Sequence, residues 1–280
     1  MVMRGVYART TDVKRLASWA RGPAAIRVAA AAAVVGPGAA GSWRDAAGLH
    51  GIELLGRPQP GPVSVTRPAG LPGSRTARPG VRLHIADLPR DHCALVLGAP
   101  VTSAARTVVD LARTSSFRGG VVAADSALRL GLTTKPELRS VLAACARWPG
   151  IARARQAVDF SDHRSESPFE SIARVAFQIG GLPPPELQAW VGAGGEVVGR
   201  VDFFWPAFST IAEADGALKY SDPQRARLQL DRDARLRAAG FEVVHFGWRE
   251  LELSPDQVIQ AIKAAFERAS VIRSGRPGVG

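Results

Sequence analysis

Residues 200–220 read RVDFFWPAFSTIAEADGALKY, two apolar runs separated by a proline and flanked by acids. Residues 201–205 and 210–214 carry the pattern of strands. Pro206 suits a turn between them, because its φ is fixed and it donates no backbone hydrogen bond. A hairpin centred near Pro206 and Ala207 sets Asp202 opposite Ile211 and makes Glu213 its diagonal neighbour on the same face. Diagonal neighbours lie roughly 7–8 Å apart, close enough for two carboxylates to hold one hard cation. Mg²⁺ takes oxygen ligands at about 2.0–2.1 Å and keeps several waters. A cation held there orients a water, lowers its pKa and neutralises charge on a phosphate, which is the chemistry of phosphodiester hydrolysis. The same pattern also describes an ordinary solvated hairpin face, with Asp215-Gly216 as a plain turn. Spacing leaves both open.

Lys219 bears on the choice. Of the 36 Lys plus Arg residues, four are lysines, Lys14, Lys135, Lys219 and Lys263. In a chain that otherwise uses arginine, a compact titratable ammonium follows the acids. Such a group stabilises phosphate oxygens or helps deprotonate a water.

A length of 280 residues implies about two domains, and 46% hydrophobic with 22% charged residues is an ordinary globular balance. Cys93 and Cys145 lack CxxC or Cys/His spacing, so neither a zinc site nor a disulfide framework is indicated, in keeping with a reducing cytosol. The apolar run over residues 28–40 is broken by Gly36, Pro37 and Gly38 and is too short to span a bilayer. The N-terminus lacks the charged-then-apolar order of a signal peptide. A cytoplasmic protein with no membrane partner is expected. Charge is uneven: residues 1–160 hold 22 basic and 9 acidic side chains, the remainder 14 and 16. A basic half of this kind attracts polyanions such as DNA, or it reflects an arginine-rich composition with no binding face.

Two domains are expected, 1–160 and 161–280, the first a mixed, mainly helical α+β domain. Helices are read over 11–19, 23–35 and 42–49, strands over 63–67, 81–86 and 94–98. Helices capped by Thr102 or Ser103 and then over 120–130, 134–148 and 151–160 complete it. The Gly/Pro-rich loop 68–80, with Arg75 and Arg78, is a solvated connection or a phosphate-contacting arm. His50, His84, His92, His163 and His245 share no metal-ligand spacing and read as surface or locally satisfied residues. Ser167-Pro168-Phe169-Glu170 matches S-x-x-E with proline at the first helical position, opening a helix over 168–179. Glu170 is either the acid of that capping box or a fourth acid at the cation site. Strands over 187–191, 197–205 and 209–214 follow, then a helix over 223–239, a strand over 241–246 and a helix over 255–269. The second domain thus reads αβββαβα. On its charged helix, Ala226, Leu230, Ala234 and Leu236 are placed against the sheet, and Arg225, Arg227, Arg232, Arg235 and Arg237 elsewhere.

With Glu170, Asp202, Glu213 and Lys219, this α/β arrangement resembles the PD-(D/E)XK nuclease superfamily. More narrowly, residues 163–268 look like the very-short-patch-repair-endonuclease-like domains of actinobacteria, on SESPFES (165–171), VDFFWP (201–206), EADGALKY (213–220) and GFEVVHF (240–246). The resemblance implies a restriction-endonuclease-like fold and a Mg²⁺- or Mn²⁺-dependent endonuclease acting on DNA, as a monomer or a homodimer. Asp202 and Glu213 would hold the metal, Glu170 and Asp215 would bind it or orient water, and Lys219 would stabilise the transition state. Two departures stand out: Lys219 occupies the place of the histidine in E-x-D-G-x-x-H, and Asp215 that of the superfamily's E-x-K lysine. The first half is similar to proteins grouped with AbiEi-type antitoxins, on MRGVYART (3–10), VTSAARTVVDLAR (101–113) and LRLGLTTKPEL (128–138). That similarity implies an alternative, an antitoxin or transcriptional regulator with a toxin protein as partner and a nuclease fold without catalysis. Relatives commonly carry a winged helix-turn-helix before the RGVY segment, where this chain begins, so either the start is misassigned or that module is missing.

Overall fold

The computed structural model describes residues 9–56, 60–71, 79–193, 196–215 and 223–274. The chain divides into two units, Met1–His163 and Arg164–Gly280. Each contains a sheet and several helices, a mixed α/β architecture.

In the first unit, α1 (Thr10–Ala17) and α2 (Gly22–Val35) precede β1 (Ala40–Gly41) and α3 (Trp43–His50). Then come β2 (Val63–Arg67), β3 (Val81–Ile85), β4 (Cys93–Val96) and β5 (Ala99–Thr102). Helices α4 (Ala104–Thr114), α5 (Phe117–Arg129), α6 (Lys135–Ala144) and α7 (Ile151–Phe160) complete the unit. The strands lie in the order β3-β2-β1-β5-β4. Strand alternation sends Val63, Val65 and Val81 to one face, where they join Ala25, Val28 and Ala31 of α2 and Val101 of β5 in one core. Full burial of a valine or leucine stabilises by about 1.5–3 kcal/mol. Helix and sheet approach closely at Gly41, where a Cβ would lie 2.3 Å from a Val28 methyl. Two short strands, β1 and β5, were not expected. Leu97 and Gly98, at φ of 51° and 77°, turn β4 back into β5, and Pro100 inside β5 masks it, since proline argues against a strand.

Helix α4 is buried around its circumference, including Arg106 and Asp110, each 1% exposed. Its polar groups are satisfied within the unit. Arg106 Nε donates to Asp110 Oδ2 at 2.9 Å, Arg113 Nε donates to Oδ1 at 3.0 Å, and Arg106 Nη1 donates to the Asp87 carbonyl at 3.0 Å. The Arg106 guanidinium lies 4.4 Å from the Trp148 ring centre, and that of Arg113 lies between Trp43 and Trp148 at 5.0 and 5.1 Å. Trp43 stacks on His84 at 4.3 Å. Ser103, of the two residues proposed as cap, accepts from the Arg106 N–H.

In the second unit, α8 (Pro168–Ile179) leads into β6 (Glu186–Ala193), β7 (Glu196–Trp205) and β8 (Thr210–Asp215). Helix α9 (Pro223–Ala238), β9 (Glu242–Gly247), α10 (Trp248–Leu253) and α11 (Pro255–Ser274) follow. Sheet order is β6-β7-β8-β9, with antiparallel pairing through β8 and a parallel β8–β9 pair made across α9. On one face, Phe177 of α8 meets Phe203, Trp205 and Phe246 at ring distances of 5.0, 5.5 and 5.7 Å, and Trp205 meets Phe266 of α11. On the other, Leu236 of α9 packs with Val191, Val201 and Ile211. Helix α10 was not expected from the sequence. On α9, Leu230 is 67% exposed and Ala234 is exposed, contrary to their placement against the sheet; Asp233 and Leu236 are the buried residues there.

Candidate active site on the four-stranded sheet

The β7–β8 connection is longer than a two-residue turn. A single 3₁₀ turn, Pro206–Phe208, is followed by Ser209 at φ 43°, ψ 38°. The register therefore pairs Trp205 with Thr210, Phe204 with Ile211 and Phe203 with Ala212. Carried one step further, that register puts Asp202 beside Glu213 and not beside Ile211. The expected diagonal pair is thus a facing pair, because four residues and not two close the hairpin. Face parity is unchanged, since the slip is an even number of residues.

Asp202 is held at both carboxylate oxygens. Its Oδ2 accepts from the Ala214 N–H at 2.9 Å and its Oδ1 from Gln188 Nε2 at 3.2 Å. Gln188 also donates to Glu170 Oε2 at 2.9 Å, so one side-chain amide bridges the acid of α8 and the acid of β7. Glu170 is fixed from its own helix start: the Ser167 hydroxyl donates to Oε1 at 2.9 Å and the Glu166 N–H donates to Oε2 at 2.9 Å. Ser167 Oγ in turn accepts from the Glu170 N–H at 3.2 Å, capping α8. The reciprocal capping bond thus goes to the Glu166 N–H, one residue earlier than S-x-x-E implies. Glu170 both serves the cap and joins the acid network.

Glu213 is 3% exposed. Burial first, and then the Asp202 charge, push its carboxyl up to about 7 against the opposing pull of Arg232. Arg232 Nη2 of α9 lies 2.9 Å from Glu213 Oε1, but without the alignment of a hydrogen bond, so that buried oxygen has a charged neighbour and no directed donor. Burial also raises Glu170, with the Asp202 charge adding to it and the bonds from Glu166, Ser167 and Gln188 opposing it.

Asp215, the third acid of EADGALKY, turns to a different partner. His245 Nδ1 contacts Asp215 Oδ2 at 3.0 Å and His245 Nε2 contacts Asp233 Oδ2 at 2.7 Å. The Asp215 contact chiefly raises the His245 pKa, with burial opposing it and both carboxylate charges adding to it. An imidazole between two carboxylates is favoured as the imidazolium, both nitrogens then donating. Glu170, Asp202 and Glu213 are therefore brought together, while Asp215 is drawn into a separate Asp–His–Asp clamp. Lys219 lies outside the described residues. Among the described residues, no group of three or more His, Cys, Asp and Glu side chains is placed to hold a metal ion.

Three contributors escaped the sequence reading. His245 pairs with Glu213 across the parallel β8–β9 ladder, and a strand–helix–strand crossover in the sequence carries that much information. Arg232 was grouped with outward-facing arginines, although helical phase puts it next to the buried Asp233. Nothing marks Gln188 in the sequence; its φ of 53° breaks the regular alternation of β6.

No protein-family model matches the chain. It is similar to the uncharacterized proteins MT2308 and Rv2248 of Mycobacterium tuberculosis (strains CDC 1551 and H37Rv). Each is 30% identical over 198 residues, covering 71% of this chain and 73% of the relative. The chain belongs to the family of these mycobacterial proteins. Among its described residues, no helix is long and apolar enough to cross a membrane.

Proposed function

We propose that the second unit is a restriction-endonuclease-like domain and that the protein is a divalent-cation-dependent endonuclease hydrolysing phosphodiester bonds of DNA. The observation that carries this reading is the Asp202–Glu213 pair, two carboxylates of adjacent strands close enough to act on each other, one of them deeply buried. An all-oxygen donor set suits Mg²⁺ or Mn²⁺, and Mg²⁺ is commonly held by one or two carboxylates, with substrate phosphates and waters completing its shell. When bound, the cation would neutralise charge on the phosphate and acidify a water. Asp202 and Glu213 would hold it, Gln188 fixes the spacing between Asp202 and Glu170, and Glu170, with its raised pKa, would be placed to accept a proton. Asp215 is held by His245.

The contact of Arg232 with Glu213 favours a second reading, in which the fold serves a DNA- or toxin-binding regulator and the carboxylates are neutralised internally. One experiment separates the two. Isothermal titration with Mg²⁺ and Mn²⁺ is run on the wild type, D202N and E213Q, and each protein is assayed for nicking of supercoiled plasmid. The endonuclease reading expects binding and nicking in the wild type and loss of both in each variant. Folded wild-type protein that neither binds nor nicks would leave the regulator.

A further inference from the structure

Two facing carboxylates draw in positive charge, and α9 brings it. Arg232 reaches Glu213 Oε1 with 21% of its own side chain exposed and 4% of that of Glu213. The same Nη2 donates to the Arg200 carbonyl on β7, so the guanidinium is tied across the strand beside the pair. Gly199 makes room for it: a Cβ there would lie 3.0 Å from Arg232 Nε, tighter than ordinary contact. The guanidinium thus neutralises Glu213 at contact distance, 2.9 Å from its Oε1. A buried carboxylate oxygen cannot serve a guanidinium and a divalent cation in the same place, because like charges at contact distance repel strongly.

We propose that Arg232 is a built-in competitor at the cation site, neutralising the Asp202–Glu213 pair until a divalent cation displaces it. This rests on the cation reading given above. Divalent affinity is then set by the difference between two cations for one carboxylate, and weakening the guanidinium strengthens the metal. The effect has the opposite sign from that of a residue that helps to build the site.

Isothermal titration of the full chain with Mn²⁺ alone tests this on the wild type, R232Q, R232K and G199A. R232Q is expected to bind Mn²⁺ about tenfold more tightly, equivalent to about 1.4 kcal/mol. R232K keeps a cation at the site and stays near the wild type, whereas G199A crowds the guanidinium without touching a carboxylate and tightens binding. Mn²⁺ binding by R232Q where the wild type shows none would mean that no cation displaces the guanidinium, and would overturn the proposal. Wild-type binding that R232Q leaves unchanged or weakens would overturn the competitor while the cation reading stands. No binding by any of the folded proteins would overturn both. Should R232Q fail to fold, G199A decides, with tighter binding in support and unchanged or weaker binding against.

Discussion

Glu213 concentrates the electrostatic tension of the second unit. It is a buried carboxyl beside a second carboxylate, raised from 4.5 to about 7. The folded state therefore binds its proton more tightly than the unfolded chain does. Stability attributable to this group falls as pH rises from about 4.5 to about 7 and is level above that. E213Q removes the titrating group while keeping its volume. E213Q should thus gain stability relative to the wild type, its unfolding free energy rising by on the order of 1–3 kcal/mol against that of the wild type between pH 4.5 and pH 7.5. Urea denaturation of both proteins at the two pH values reads this. A difference that is the same at both would show that Glu213 is not held protonated by its surroundings. His245 titrates in the other half of the clamp: its raised pKa contributes stability that is full below 6.5 and lost as pH rises through its folded value. It is common to both proteins, so its contribution largely cancels in the comparison.

At the scale of elements, the start of α8 joins structure to site, because Ser167 caps the helix and also donates to Glu170. S167A should cost about 1 kcal/mol, the usual worth of an N-cap, read as a lowered urea midpoint with an unchanged slope. A loss of a few tenths would mean that neighbouring groups already satisfy the helix start. This helix was legible from the sequence because S-P-F-E states cap, first-turn proline and acid in four residues. The three strands and the crossover were legible too, since apolar runs and the charged helix between them differ in period. The pairing register was not. A proline announces a turn but not its length, and Ser209 in a left-handed conformation adds residues that no propensity reveals. The buried face of α9 was misread for a different reason. Hydrophobicity pointed rightly to Leu236 but also to Leu230, whereas the helix instead buries Asp233, which contacts His245.

At the scale of the whole molecule, each unit carries its own sheet and its own buried cluster. The second unit is organised around Phe177, Phe203, Trp205 and Phe246, an aromatic core supplied by its own strands and helices. A fragment spanning residues 164–280 should therefore fold, giving a single cooperative urea transition and dispersed amide resonances. A broad, non-cooperative unfolding curve would show that its core depends on the first 163 residues. The basic character of the first half takes on a different meaning once its arginines are located. Arg67 and Arg106 are 1% exposed, and the guanidiniums of Arg106 and Arg113 share one carboxylate and lie against tryptophan rings. These side chains act as mortar between helices. Other basic residues of this half, Arg82, Arg90, Arg139, Arg147, Arg153 and Arg155 among them, are exposed, so the net charge of +11 is largely carried outside while these few serve the interior. A mutation that strips Arg106 or Arg113 would be felt first as a loosened wall.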